Sequence, residues 1–143
     1  KSEMKEQLGE EKIKIYRRSW DIAPPELSED SEFNPRNDII YKDINEDAIP
    51  NTESLKDTYD RVIPYFNINI RPKILAGKNV IIAAHGNSLR ALCKLLFNIS
   101  SENINKLEIP TGNPLLVKLD SDLKFISAYY LDEKRAQTII QNK

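Results

Sequence analysis

Residues 79–88 read NVIIAAHGNS and carry the strongest evidence for the architecture of the chain. A short, continuous apolar run comes first, and such runs are typical of strands that are covered on both faces. A turn at residues 85–87 follows, and Ser88 is expected to cap an amphipathic helix. Strand, turn and helix in this order form the ligand-binding unit of open α/β sheets. The sequence therefore predicts an α/β fold with a mostly parallel central sheet.

A long amphipathic helix is predicted before this unit, over residues 52–77. Thr52 is its expected N-cap and Gly77 its expected end. Pro64 and Pro72 each remove a backbone donor, so we expect a kink or an early stop near one of them. Apolar residues recur along the helix at helical spacing: Leu55, Tyr59, Val62, Phe66, Ile70 and Ile74.

The outer segments predict fewer regular elements. Residues 3–20 favour a helix that ends near Arg17 and Arg18, and the Pro-rich residues that follow favour a long irregular loop. One buried strand and two others make a thin sheet, so we expect further strands from outside this sequence. The remaining predicted segments are the irregular loop at 19–51, a short helix at 101–107, a hairpin of strands at 115–119 and 124–131, and a mobile tail at 132–143.

Composition excludes several classes of protein. The 143 residues include 21 Lys plus Arg against 22 Asp plus Glu, so no basic excess exists to bind nucleic acid or an anionic membrane. With one Cys and one His, neither an internal disulfide nor a zinc site is expected, and no metal is predicted. The longest apolar run is far shorter than the roughly 18 residues of a membrane span. We expect a cytoplasmic protein that binds a small anion.

His85, Gly86 and Asn87 are the first candidate site residues. They lie where a predicted buried strand meets a helix N-terminus, and free N–H groups at such a place attract anions. Gly86 lets the backbone approach a ligand, Asn87 offers a donor and an acceptor, and His85 can act as nucleophile or acid/base. The alternative is that His85 only satisfies neighbouring carbonyls in a turn.

Arg17 and Arg18 are the second candidate pair. Guanidinium groups match phosphate and carboxylate in a bidentate manner, but cations at a helix C-terminus also complement its dipole with no further function. Lys1 and Arg90 are weaker candidates, and each is expected to be a solvated surface charge. The alternative for Arg90, two residues after the turn, is that it faces the core. Cys93 lies on the apolar face of the helix after the turn, where a reactive role is not expected.

Three segments together resemble the cofactor-dependent phosphoglycerate mutases of the histidine phosphatase superfamily. They read YRRSWDIAPPEL (16–27), NTESLKDTYDRVIPYFNINIRPKILAGKNVIIAAHGNSLRALCKLL (51–96) and IPTGNPLLVKLDSDL (109–123). The similarity extends from residue 1 to about residue 131, and the motifs occur in a consistent order. It is therefore more specific than an isolated His-Gly pair.

The resemblance implies a three-layer phosphoglycerate mutase-like fold and a glycolytic isomerase. Such an enzyme interconverts 3-phosphoglycerate and 2-phosphoglycerate through a phosphohistidine, is primed by 2,3-bisphosphoglycerate and uses no metal. By matching motifs, His85 is the second active-site histidine. The substrate-binding residues are Arg17, Arg18, Gly86 and Asn87, with Lys1 matching the end of a GLNK motif. Family members are usually homodimers or homotetramers, and their C-terminal tail covers the pocket.

The sequence departs from the family in one large respect. It lacks the RHG motif that carries the phosphorylated histidine, and its single His is already assigned. We therefore expect residues 1–143 to be the C-terminal part of one domain and to have no turnover alone. A smaller departure is Asn113, where the family commonly has an apolar residue. Bisphosphoglycerate mutase or phosphatase activity, and a non-catalytic anion-binding domain, remain as alternatives.

Overall fold

The computed structural model describes residues 9–138 of the chain. Within this range the residues form both helices and strands, and none of these helices is long and apolar enough to cross a bilayer. The regular elements are α1 (Glu10–Arg18), α2 (Leu55–Tyr65), α3 (Arg71–Leu75), α4 (Gly86–Leu96), β1 (Leu115–Leu119) and β2 (Phe125–Tyr130). A π-helix, Phe66–Ile70, joins α2 to α3.

The hydrophobic core forms around α4. One face of this helix packs against α2, and the chain that follows the helix folds back beneath it. Ile104 and Leu107 are fully buried there. The rings of Phe97 and Phe125 meet edge to face with centroids 4.9 Å apart, which attaches the hairpin to the end of α4. The buried cluster consists of Leu55, Ala91, Cys93, Phe97, Ile99, Ile104 and Leu107.

The start of α2 differs from the prediction. The N-cap is Ser54 rather than Thr52, and Ser54 and Asp57 form a reciprocal capping box. The Asp57 N–H donates to Ser54 Oγ at 3.2 Å, and the Ser54 N–H donates to Asp57 Oδ2 at 2.9 Å. Thr52 instead donates its hydroxyl to the Pro24 carbonyl at 2.6 Å, so it holds the preceding loop.

The two prolines do not end the long helix. Pro64 lies inside α2, and Pro72 lies in the first turn of α3. The Arg71 N–H bonds the Phe66 carbonyl five residues back, so the hydrogen-bond register changes just before the proline that has no N–H to donate. Gly77, with φ of 75°, ends the helix as predicted, and the Gly77 and Lys78 N–H groups donate to Ile74 and Lys73 at 2.8 and 3.1 Å.

The sheet of the described region is a two-stranded antiparallel hairpin, β1 with β2, close to the predicted positions. The predicted parallel sheet is not formed by residues 9–138. Residues 79–84 form no regular element and have no ladder partner there, and Ile81 is 97% exposed. The prediction of a buried strand is therefore wrong for this part of the protein, because a strand is buried only when neighbouring strands and covering helices are present.

The long loop after α1 is irregular apart from three short 3-10 helices, Pro35–Asn37, Ile39–Tyr41 and Glu46–Ala48. Residues 101–107 form a 3-10 turn, Ile104–Lys106, instead of an α-helix. Of the predicted tail, residues 132–138 are described and include the 3-10 turn Glu133–Arg135. Arg135 donates to the Thr111 and Gly112 carbonyls at 3.3 and 3.2 Å, which ties this turn to the loop before β1.

Replacing the N-cap should weaken the whole domain measurably. We expect Ser54→Ala to lower the free energy of unfolding by about 1 kcal/mol at pH 7, because the cap of α2 is lost. The Ser54 hydroxyl and N–H lower the pKa of Asp57. That contribution is present above the unfolded pKa of about 3.9 and is lost as the pH falls through the lower folded pKa. The difference between the two proteins should therefore shrink between pH 4 and pH 2.

Urea unfolding followed by circular dichroism measures this difference. Ser121→Ala is the matched control, because Ser121 is an exposed serine in the hairpin turn. Equal effects of the two substitutions, or a Ser54 effect that does not change with pH, would contradict the capping box.

Candidate functional site

Residues 85–87, which were predicted as a turn, form the beginning of α4. His85 is the N-cap, and Gly86 and Asn87 are the first two helical residues, so Ser88 lies inside the helix and is not its cap. The first intrahelical bond runs from the Leu89 N–H to the His85 carbonyl at 3.0 Å. The three N–H groups before Leu89 therefore have no intrahelical acceptor, and no side chain of residues 9–138 caps them.

Open space surrounds this helix end. A Cβ added at Gly86 would meet nothing within 4 Å, and the side chains of His85 and Asn87 are exposed. Unpaired N–H groups and the positive end of the helix dipole favour a negatively charged ligand at such a place. The absence of a side chain at Gly86 keeps these donors accessible.

Arg90 is buried, which corrects the expectation of a surface charge. Only 7% of the residue is exposed, and its guanidinium reaches three different segments. Nη2 donates to the Ile104 carbonyl at 2.9 Å, and Nη1 donates to the Arg17 carbonyl and to Asn87 Oδ1, each at 3.4 Å. Arg90 therefore joins the end of α1 to the beginning of α4.

Arg18 faces a cationic cleft beside this junction. Its guanidinium forms an ion pair with Glu108 and donates to the Asn105 carbonyl at 3.5 Å. The cleft has a volume of about 440 Å³, and Lys14 and Lys106 also line it. Glu108 supplies the carboxylate that Arg18 binds. Another carboxylate or a phosphate can replace it, because all three are planar or tetrahedral oxygen acceptors for a guanidinium.

The pKa of Arg90 is affected by the charges of Arg18 and Glu108 beside it. Burial lowers the pKa of Arg90 most strongly, the nearby Arg18 charge lowers it further, and Glu108 opposes both effects. Arg18 and Arg90 are thus near enough to repel each other. An anion bound near both groups would relieve that repulsion.

The structure brings the predicted residues together only in part. Arg17 and Asn87 are linked through Arg90, and Arg18 lies beside the same junction. The side chains of Arg17 and His85 are both exposed, and within residues 9–138 His85 makes no side-chain hydrogen bond to either arginine. Lys1 lies outside the described residues. The described site is therefore an open surface with cations on one side and helix N–H groups on the other.

Two other residues from the sequence analysis have structural roles. Burial raises the pKa of Cys93 to about 12, so the thiol is not a nucleophile near neutral pH, as expected from its place on α4. Asn113 is buried and exchanges two hydrogen bonds with the backbone of Asp132, at 2.9 and 3.0 Å. It anchors the point at which the chain leaves β2. Within residues 9–138 no three His, Cys, Asp or Glu side chains lie close enough to hold a metal ion.

Comparison with known sequences gives consistent matches. Residues 3–131 match the family described as "Histidine phosphatase superfamily (branch 1)". A Pelagibacter ubique protein named 2,3-bisphosphoglycerate-dependent phosphoglycerate mutase is 51% identical over 140 residues, which are 98% of this chain and 59% of that protein. Proteins of the same name from Hyphomonas neptunium and Maricaulis maris are 52% and 48% identical, with 97% of this chain and 57% and 58% of their lengths covered. The chain spans less than two thirds of these relatives.

Proposed function

Because the chain belongs to the histidine phosphatase superfamily (branch 1), we propose that it forms part of a 2,3-bisphosphoglycerate-dependent phosphoglycerate mutase. The proposed reaction interconverts 3-phosphoglycerate and 2-phosphoglycerate by phosphoryl transfer through a phosphohistidine. The nucleophilic histidine of this reaction lies outside the present sequence, whose single histidine is His85. Three relatives about half identical to this chain carry that enzyme name, which supports the proposal.

The observation that carries the proposal is the junction at Arg90. It holds the arginine-bearing end of α1 against the anion-attracting start of α4 through bonds to the Arg17 carbonyl and to Asn87. Phosphoryl transfer depends mostly on positioning and on fixed positive charge around the transferred group. The cations of α1 and the unpaired N–H groups of α4 supply both the positioning and the positive charge.

The same residues fit 2,3-bisphosphoglycerate, which supplies the priming phosphoryl group. A molecule with two phosphates and one carboxylate needs several cationic or N–H donors, and Lys14, Arg18 and Lys106 line one cleft beside the junction. We assign phosphate or carboxylate binding to Arg17 and Arg18, and substrate contacts to Gly86, Asn87 and Lys1. His85 holds or transfers a proton, or donates to a phosphoryl oxygen, at the reacting group.

The fold of the complete enzyme is proposed from the exposed apolar segment. Residues 79–84 have no ladder partner within the described region, and Ile82 and Ala84 line an apolar groove of about 370 Å³ together with Val62 and Phe66 of the long helix. The relatives are longer than this chain. We propose that residues preceding it add parallel strands at this position, giving a three-layer fold. A cytoplasmic homodimer or homotetramer is proposed from the family resemblance.

Turnover should require more than this chain. We expect a chimera of residues 1–143 with the part of the Pelagibacter ubique relative outside the match to convert 3-phosphoglycerate to 2-phosphoglycerate. The 143-residue chain alone should give no turnover, because it lacks the nucleophilic histidine. A coupled assay started with 2,3-bisphosphoglycerate measures isomerisation, and phosphate release is followed in parallel. Robust turnover by the chain alone would contradict the proposed division of the site. Phosphate release or bisphosphoglycerate synthesis without isomerisation would assign one of the sister activities instead.

Substitutions in the chimera should separate binding from chemistry. We expect Arg17→Ala to raise KM about 10-fold or more, because a charge-assisted contact is lost. His85→Ala should instead lower kcat by about 100-fold or more. Lys12→Ala, which removes an exposed cation from the same helix α1, is the control and should leave both constants within about twofold of the parent. Ordinary kinetics in the Arg17 or His85 variant would remove that residue from the site.

A charge placed in the segment 79–84 should leave the stability of the 143-residue chain unchanged and should destabilise the complete enzyme. We expect Ile81→Asp to change the unfolding free energy of the 143-residue chain by less than about 0.5 kcal/mol, since the side chain is 97% exposed there. In the chimera the same change should cost more than about 3 kcal/mol, because a carboxylate would be buried without a partner. Ile39→Asp, at a loop residue that is 76% exposed, is the control. Equal effects of Ile81→Asp in chain and chimera would contradict the added strands.

A further inference from the structure

We propose that Arg90 is a positioning residue for substrate binding, an inference that rests on the proposed function. It orients the Asn87 amide and fixes the end of α1 against the start of α4. Neither role follows from the sequence, where Arg90 reads as a surface charge on an amphipathic helix. The burial of the residue and its three acceptors carry the inference.

The planar guanidinium suits this junction. Nη2 is held by the Ile104 carbonyl at 2.9 Å, which fixes the plane of the group from the core side. Nη1 then faces both the Arg17 carbonyl and Asn87 Oδ1 at 3.4 Å. A lysine ammonium is a single point on a flexible stem and cannot hold acceptors on three segments in one fixed plane.

The bond to Asn87 decides which end of its amide faces the ligand. Asn87 Oδ1 accepts from Arg90, so the Nδ2 group points away from Arg90. Nδ2 carries two donors and no acceptor, and Asn87 is the second residue of α4, whose first N–H groups have no intrahelical acceptor. With Arg90 in place, Asn87 therefore presents donors to an anion. Without it, the amide is free to turn and to present its oxygen, which repels one.

Within residues 9–138, no buried carboxylate neutralises the charge of the Arg90 guanidinium. All three acceptors of Arg90 are neutral oxygens, and its Nε has no hydrogen-bond partner. A purely structural cross-link would be as well served by neutral donors, because burying a charge is unfavourable. The guanidinium instead supplies a planar set of donors that holds Asn87 and the end of α1 in one arrangement.

The test compares two cations of the same helix in the active chimera. Arg90→Met and Arg90→Lys should each raise KM for 3-phosphoglycerate about 10-fold, the loss of one charge-assisted contact, with kcat within about threefold of the parent. Lys94→Met is the matched control. Lys94 is also a partly buried cation that donates to a backbone carbonyl, of Ile99 at 2.7 Å, but it touches neither Asn87 nor Arg17. It should change thermal stability and leave KM unchanged.

A double substitution distinguishes positioning from general stabilisation. In an Asn87→Ala background, Arg90→Met should raise KM clearly less than it does alone, because the amide that it orients is gone and only its bond to the end of α1 remains to be lost. Full additivity of the two substitutions, or normal KM in Arg90→Met, would overturn the inference while leaving the proposed function intact. An unsubstituted chimera that neither turns over nor binds 3-phosphoglycerate in a calorimeter would overturn both. If Arg90→Met does not fold, Arg90→Lys takes its place in both measurements, the KM of the single variant and the KM in the Asn87→Ala background.

Discussion

The burial of one face of α4 is the constraint on which the rest of the described structure depends. Ala91 and Cys93 lie within the core, so the rotation of the helix about its axis is fixed by packing against α2 and the segment around Ile104. Close-packed interiors tolerate little rotation, because each side chain must find a matching space. The same rotation places Arg90 beneath α1 and leaves the helix start open to solvent. Core packing and site geometry are therefore set by one element.

The elements that could be predicted from sequence are those whose pattern is local. The α2 face, the Gly77 stop and the hairpin strands follow from periodicity and turn residues, and they occur close to the expected positions. The predicted strand at 79–84 is absent from the structure. An apolar sequence makes a segment suitable for a buried strand, but burial also requires neighbouring strands, and residues 9–138 supply none at this position. The N-caps were misplaced by one turn or less. Thr52 and Ser54 are both residue types found at N-caps, and the structure uses Ser54, which forms the capping box with Asp57.

The candidate site shows a similar division. His85, Gly86 and Asn87 could be proposed as site residues because a helix start after an apolar run is a recognisable pattern, and Arg17 and Arg18 because they are adjacent at a helix end. Arg90 could not be assigned, since an arginine two residues after such a pattern can face either solvent or core. Its hydrogen bonds go to the backbone carbonyls of Arg17 and Ile104. Every residue has a backbone carbonyl, so the residue types at these positions do not predict such bonds.

The use of carbonyl acceptors also explains how the site can be positively charged and still be part of a stable fold. A buried guanidinium paired with a carboxylate would be neutral as a unit and would attract no anion. Arg90 instead has its hydrogen bonds satisfied by uncharged oxygens, apart from Nε, so its charge remains effective at the surface. Arg18 lies in the opposite situation, because it forms an ion pair with Glu108. Arg18 and Arg90 therefore place two guanidinium groups on one surface, and within the described residues only that of Arg18 is paired with a carboxylate.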